Sequence, residues 1–424
     1  MTGRSNARSV LIVSVDDPWK GGGVGGKHTH IRQLQKGLGA NGVNAQVACV
    51  KKTPSFKFLH LYPGALRRRL MKDKGDRFAH YVKQYDEQLR RNLRRTDLDF
   101  TWVNPHDVVA ANAIGERLSK DGKTVPMILT LHGYFTREAA SDAEISEASE
   151  HFKHYMEIER KACERAWRIV CVDSRIGEYV KSTFGVRAER ITVIPNAVDI
   201  ERFHPVSEEQ KTVARQELEI PKDAFIILCP RRLVPKNGVA FAVKAMKELD
   251  RNRKALLILA GDGPERRSIE DLVKAEGLSE RVLIRGSVQH RIIDRYYAAA
   301  DAIVIPSVLS AGVEEATSLS MLEGMAAGKP VIVTDIGGLK ETVQNGETGV
   351  VVRQADSGAL NHAVERIMSD REFADRLGTA ARSFVEKRHS HTAHAVAMLC
   401  EYDRAEDDGP TGAASADGAL IHPR

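Results

Sequence analysis

Pro306–Pro330, PSVLSAGVEEATSLSMLEGMAAGKP, joins two short apolar runs, AIVIP (302–306) and VIVT (331–334). An apolar run followed by a loop, a helical segment rich in small residues and a second apolar run is the pattern of parallel strands with a crossover helix. Such sheets bind ligands outside the carboxyl ends of their strands. That is where Glu315 and Glu323 stand, seven residues lying between them. If the span were helical, the eight-residue step would advance roughly 12 Å. The carboxylate pair of a glycoside hydrolase sits closer, at roughly 5–9.5 Å. The spacing suits two hydroxyl-rich groups at opposite ends of one ligand, such as a sugar and a ribose joined by a diphosphate. The competing reading is a surface helix with two solvated glutamates.

The same alternation extends along the chain. Strands are expected at VLIVSV (10–15), AQVACV (45–50), FTWV (100–103), MILTL (127–131), RIVCV (168–172) and ITVIP (191–195). A second series follows at FIILC (225–229), LLILA (256–260), VLI (282–284), AIVIP, VIVT and GVVV (349–352). A helix over 28–38 carries Ile31, Leu34 and Leu38 on one face. The charged, proline-bracketed segment 205–222 reads as a linker between an α/β unit over 1–204 and another over 223–390. A last helix is expected over 391–405, and the Gly-, Ala- and Asp-rich tail, 406–424, reads as disordered.

A chain of 424 residues favours two doubly wound domains. Its 42% hydrophobic and 28% charged composition is that of an ordinary globular protein. The five cysteines are scattered and form no C-x-x-C, so no disulfide framework or zinc site is implied and a reducing, cytoplasmic setting fits. No apolar run is long enough to span a membrane. The net charge of +6 is uneven: Arg67–Arg95 holds eleven basic and four acidic residues, leaving about −1 for the rest. This argues against a nucleic-acid binder. Within that stretch Phe78, Tyr81, Val82, Tyr85, Leu89 and Leu93 recur with helical spacing. The patch therefore has two main readings: an anionic membrane surface met from the cytoplasmic side, or an apolar face packed on the first domain with solvated arginines; a polyanionic acceptor is a third.

The first βα turn, DDPWKGGGVGGKHTH, contains Gly21-x-Gly23-x-x-Gly26. Five residues separate Val15 from Gly21, and the second strand ends in Lys51-Lys52 instead of a ribose-binding acid, so the dinucleotide fingerprint fits poorly. Lysines there suit a 2′-phosphate, which keeps an NADP-dependent oxidoreductase as an alternative. The other reading is a glycine loop whose amides face a phosphate or sugar. His132 follows MILTL, and His106-Asp107 follow FTWVNP, at the same sheet edge; these two could line an acceptor pocket. In CPRRLVPKNGV, Arg231, Arg232 and Lys236 precede a helix, an arrangement that binds a diphosphate and stabilises charge on a leaving group. The only D-x-D, Asp97-Leu98-Asp99, precedes a strand and so lies at the opposite edge.

Taken in order, these pieces resemble the family 4 glycosyltransferases. The matching motifs are GGGVGG, LHG at His132, VDSRIGEYV, ITVIPNAVDIERFHP, RRLVPKNG, LAGDGPE, Glu315-x7-Glu323 with GMAAGKPV, IGGLKE and NGETGVVV. The resemblance implies a GT-B architecture of two facing Rossmann-like parallel-sheet domains. It implies retaining transfer of a hexosyl-type unit from a nucleotide-diphosphate sugar to an acceptor hydroxyl, without a metal or other cofactor, in polysaccharide, glycolipid or other glycoconjugate synthesis. His132, Glu315 and Arg232 would be catalytic. Gly22, Gly23, Arg232, Lys236, Asn237, Arg285, Gly286, Glu315, Thr317, Ser318 and Glu323 would bind the donor, and His106, Asp107 and Gly25 the acceptor.

Three departures from the pattern occur. Asn237 replaces a lysine, Ala316-Thr317-Ser318 replace Gly-aromatic-Gly, and Trp167 stands where a small or acidic residue is usual. A non-catalytic nucleotide-sugar binding protein is a further alternative.

Overall fold

The computed structural model describes residues 8–19, 26–51, 74–141, 144–250, 252–310 and 317–409. Each expected apolar run forms a strand. These are β1 (Ser9–Ser14), β2 (Asn44–Cys49), β3 (Trp102–Pro105), β4 (Ile128–Leu131), β5 (Arg168–Cys171) and β6 (Ile191–Val193), then β7 (Phe225–Cys229), β8 (Ala255–Ala260), β9 (Val282–Gly286), β10 (Ala302–Ile305), β11 (Val331–Thr334) and β12 (Val350–Val352). All pairings between them are parallel.

The chain divides into two compact units, one up to Pro195 with the residues from His394 onward, the other Asn196–Ala393. In the first unit the orders are β2-β1-β3 and β4-β5-β6. A bridge between Val103 and Met127 connects the two sets. Alternation along the strands feeds two cores. Leu11, Val13, Val103, Leu129 and Ile169 pack beneath the helices Val108–Lys120 and Glu150–Arg165. Val10, Ile12, Trp102, Ile128 and Val170 meet Ile31, Leu34 and Leu38 of the helix Gly26–Ala40. Trp167 flanks this second core, which accounts for an apolar residue at that position.

The second unit has a single sheet, β12-β11-β10-β7-β8-β9. Ile226, Leu228, Ile303 and Val331 line one face, and Ile227, Leu257, Val304 and Ile332 the other. Residues buried on both faces explain why these strands read as unbroken apolar runs.

Three boundaries differ from expectation. Segment 205–222 contains the helix Glu208–Glu217, opened by a capping box in which Ser207 and Gln210 exchange side-chain-to-backbone bonds. Arg215 on that helix is buried and pairs with Asp301 at 2.6 Å. This anchors the segment to the second unit, which begins at Asn196 instead of after 204. The last helix spans His391–Asp408, three residues further than expected. Arg168 of β5 holds it, with Nε 2.6 Å from Glu401 and Nη1 2.8 Å from Asp408. Residues 410–424 lie outside the described residues.

The helix Lys74–Leu93 decides between the two readings of the basic stretch for its apolar side. Leu89 and Leu93 are buried in the first-unit core, with Val82 and Tyr85 packed against it. Phe78 stacks edge-on against Tyr155, with 5.2 Å between ring centroids. The apolar spacing serves the protein interior; Tyr81 alone of that set is exposed. Residues 67–73 lie outside the described residues.

Candidate active site

In the second unit, β7 and β10 are neighbours, so the loops leaving their carboxyl ends meet. The loop after β7 does not present its three cations together. Arg231 turns inward and is buried, whereas Arg232 and Lys236 remain exposed. The Arg231 guanidinium donates to Ser318 Oγ at 2.9 Å, to Ser307 Oγ at 3.1 Å and to Asn237 Oδ1. Asn237 Nδ2 in turn donates to the Arg232 carbonyl at 2.8 Å. Asn237 and Ser318 are thus structural partners of Arg231, and Asn237 fixes the backbone that carries Arg232. Thr317 is buried beside Ser318.

The LAGDGPE turn buttresses the same loop. Leu233 N donates to the Asp262 carbonyl and Glu265 N to the Leu233 carbonyl, both at 3.0 Å. A Cβ on Gly261 would lie 1.9 Å from the Arg231 carbonyl oxygen. Gly238 has φ +60°, and a Cβ there would meet the Pro306 carbonyl oxygen at 2.0 Å, which is how closely this loop approaches the end of β10.

Glu323 lies on the helix Leu319–Ala326 and is partly exposed. Tyr297 Oη sits 2.8 Å from its Oε2 and 3.0 Å from the Ser320 carbonyl. Burial raises the Glu323 carboxyl to about 7. Gly286 closes β9 with φ +67°, while the Arg285 side chain turns away to donate to the Leu218 carbonyl at 2.9 Å. Arg285 is therefore left with its backbone to offer a ligand. Glu315 falls outside the described residues, as do Gly22, Gly23 and Gly25.

In the first unit, the carboxyl ends of β3 and β4 bring His106 and His132 together. His106 is buried and engages both ring nitrogens, Nδ1 3.0 Å from His132 Nε2 and Nε2 2.9 Å from Asn104 Oδ1. It stands behind His132. Asp107 is also committed to the scaffold. Its Oδ1 caps the helix Val108–Lys120 through Ala110 N at 2.7 Å, and its Oδ2 accepts from Val15 N at 3.0 Å. His106 and Asp107, expected to bind the acceptor, thus each hold scaffold bonds at this sheet edge. His132 is partly exposed.

Several site residues carried no signal in the sequence. Lys27, next to the glycine loop, lies 2.5 Å from Asp16 and 3.5 Å from Asp107. Burial opposes ionisation of Asp16, but its hydrogen bond with His28 and the charge of Lys27 hold its carboxyl well below the usual range. Asn104, Thr130 and Tyr402 form a buried network behind His132. Their separation in sequence hides it. Among the described residues no helix is long and apolar enough to cross a membrane.

Comparison with known proteins agrees with this arrangement. The family model "Glycosyltransferase Family 4" matches residues 24–202, and "Glycosyl transferases group 1" matches residues 210–384. An uncharacterized glycosyltransferase of Methanocaldococcus jannaschii is 26% identical over 374 residues, covering 87% of this chain and 91% of its own. Among solved structures, sucrose-phosphate synthase of Thermosynechococcus elongatus superposes with TM-score 0.70 at 24% identity, covering 95% of this chain and 100% of that one. HepE of Anabaena, solved with UDP-glucose, gives 0.68 at 18% identity, covering 93% and 99%. The two matched domains and their GT-B fold show that the chain belongs to the family 4 glycosyltransferases.

Proposed function

We propose that this glycosyltransferase takes its sugar from a nucleotide diphosphate held by the second unit and passes it, with retained anomeric configuration, to an acceptor hydroxyl bound by the first. The observation that carries the donor site is the convergence of the β7 loop and the Glu323 helix at neighbouring strand ends. Glu323, steadied by Tyr297, is suited to accept hydrogen bonds from the two ribose hydroxyls. Exposed Arg232 and Lys236 offer charge to the diphosphate, and the buried Arg231 adds a third positive charge beside Asn237, where the family has lysine. The co-structure of HepE with UDP-glucose supports a nucleotide-sugar donor.

In the reaction, the acceptor oxygen forms a bond to the anomeric carbon as the bond from that carbon to the diphosphate breaks. The diphosphate leaves with the bonding pair and takes the hydroxyl proton. The cationic loop stabilises the departing charge, the role a metal plays in other transferases. A thermal-shift panel of UDP-, GDP- and ADP-sugars, followed by donor hydrolysis assays, tests this reading. One class should raise the melting temperature and be turned over, without loss of activity in EDTA. Stabilisation by NADPH alone, or activity that returns only with manganese, would refute it.

A peripheral association with anionic lipid remains part of the proposal. It rests on the outward charges Arg77, Lys83, Arg94 and Arg95, all exposed.

A further inference from the structure

Asn104 on β3 and His106, one residue past its end and still bonded through its N–H to the Val13 carbonyl, are two residues apart, so both side chains leave the same face of the sheet. Both are buried, as are Thr130 on β4 and Tyr402 on the last helix. The orientation of the Asn104 amide is dictated by its neighbours. Nδ2 lies 2.6 Å from the Ile128 carbonyl oxygen and 2.9 Å from Thr130 Oγ1. A carbonyl only accepts, so the amide nitrogen must face it. Oδ1 then points the other way, 2.9 Å from both the Tyr402 hydroxyl and His106 Nε2.

An amide oxygen also only accepts, so His106 carries its proton on Nε2. A neutral ring then has its lone pair at Nδ1, 3.0 Å from His132 Nε2. His132 must donate from Nε2, and its own Nδ1 is bare. That Nδ1 is buried and has no hydrogen-bond partner among the described residues. Burial, then the charge of His30, holds both rings well below the usual histidine pKa, so they stay neutral. His30 stands edge-on to His132, 4.7 Å between centroids, and its Nε2 lies 3.1 Å from His394 Nε2.

We propose that His106 is a positioning residue which, with Asn104, locks His132 in the Nε2-protonated tautomer, so that Nδ1 accepts a hydrogen bond from a substrate hydroxyl. In this state His132 has no proton at Nδ1 to give to a phosphate oxygen, so the site selects a hydroxyl there. The identification of that hydroxyl with a sugar rests on the transfer reading; the tautomer does not.

Ring nitrogens of His30, His106 and His132 also lie within 4.8 Å of one another. A transition-metal ion bound through His132 Nε2 and His106 Nδ1 would have to replace the bond between them. It would also leave the His132 Nδ1–H without the outer partner that usually orients a metal-bound histidine. Metal capture through His132 Nε2 and His106 Nδ1 and the lock therefore exclude each other.

The test uses the full chain with 15N-labelled histidine, in which bare and protonated ring nitrogens are well separated by chemical shift. At neutral pH the signals lost in His132→Asn should show a bare Nδ1 and a protonated Nε2. His106→Leu should convert His132 to a mixture of tautomers and lower kcat about tenfold, the loss of roughly one hydrogen bond, with donor KM unchanged. His106→Asn, whose Oδ1 can accept where Nδ1 did, should restore both the spectrum and kcat. Tyr402→Phe leaves Asn104 anchored by Ile128 and should keep the tautomer.

A proton found on His132 Nδ1 would overturn the proposal. So would an unchanged tautomer in a folded His106→Leu protein, or cobalt(II) added to the wild type that removes the proton from His132 Nε2. If the leucine variant does not fold, the wild-type and His106→Asn spectra still decide. A correct tautomer in a protein that transfers no sugar would sink the transfer reading and leave the lock standing.

Discussion

At the carboxyl edge of the first unit, His106, Asn104, Thr130 and Tyr402 are buried neutral groups bonded to one another behind His132. At the corresponding edge of the second unit, Arg232 and Lys236 are exposed, and Glu323 sits half-covered with a carboxyl raised to about 7. The first edge has its polar partners already in place and offers one lone pair. The second keeps its charges available for a charged ligand. An edge built from mutual hydrogen bonds is sensitive to removal of its supports, whereas an edge of outward charges is sensitive to removal of the charges themselves.

The largest expected effect lies in a support of the first unit. Arg168 and Glu401 form a buried pair at 2.6 Å, and Glu401 also accepts from Thr192 Oγ1 at 2.9 Å. Arg168→Ala leaves the buried Glu401 carboxylate with the Thr192 hydroxyl and the exposed Arg404, 2.7 Å away, in place of its buried cation. Removing one partner of such a pair costs about 3–5 kcal/mol. Chemical denaturation should show this loss, while nucleotide affinity, which the proposed donor site assigns to the second unit, should stay within twofold of wild type. A parallel fall in nucleotide affinity in the folded variant would break the division between the two edges.

Next in size are the charges of the second edge. Glu323→Ala or Arg232→Ala should weaken nucleotide-diphosphate binding by about 1.5–3 kcal/mol each, as expected for hydrogen bonds to charged groups, with little change in stability. Glu315→Ala should spare the free nucleotide and impair sugar transfer. Calorimetry is the measurement, and full affinity in both Glu323→Ala and Arg232→Ala would end the donor-site assignment.

How much of each edge was legible follows from how it is built. The second edge is made of near-neighbours in sequence: Arg231, Arg232 and Lys236 in one loop, Glu323 on one helix. Both could be placed from strand ends and small-residue turns. The inward turn of Arg231 was not legible, because it depends on Ser307 and Ser318 from another loop. The first edge joins residues 30, 104, 132, 394 and 402, and no local pattern links them. The strand expected at FTWV stopped one residue before Asn104. Asn104 belongs to β3 because its backbone pairs in register with Ile12 of β1. The capping box at Ser207–Gln210 was present in the sequence, and the prolines around it hid the helix.

The two edges should also part company with pH. The unfolded chain ionises Glu323 near the ordinary glutamate value of 4.5, and the folded protein near 7. The folded state therefore binds the extra proton between those values. Stability from this group is fully present below 4.5 and declines as pH rises through 7. Ribose hydroxyls favour the carboxylate, so nucleotide binding should release a proton near pH 7 and weaken by up to tenfold per pH unit below it. His106 and His132 run the other way. Their pKa values are depressed in the fold, so their contribution is complete above the unfolded value of 6.5 and is lost below it. Calorimetry in buffers of different ionisation enthalpy should detect proton release for wild type and none for Glu323→Gln. Equal release in both would assign the proton elsewhere.

The smallest effect concerns the outside of the helix Lys74–Leu93. Its apolar side is spent on the core, through Leu89 and Leu93, so insertion into lipid has no face to drive it. What is left is electrostatic. Arg90 is bound to Asp86 at 2.8 Å, and Arg91 lies 4.0 Å from Glu87, so each charge is partly offset. Arg77, Lys83, Arg94 and Arg95 are exposed, each able to contribute about 1 kcal/mol beside an anionic surface, within a Debye length of roughly 10 Å. Co-sedimentation with phosphatidylserine vesicles should therefore be weak, absent with neutral lipid, and abolished at about 0.5 M salt, where that length shrinks by about half. Reversing Arg94 and Arg95 to glutamate should remove it without altering transfer to a soluble acceptor. Binding that persists in high salt would mean an apolar contact, and the basic surface would then not be its cause.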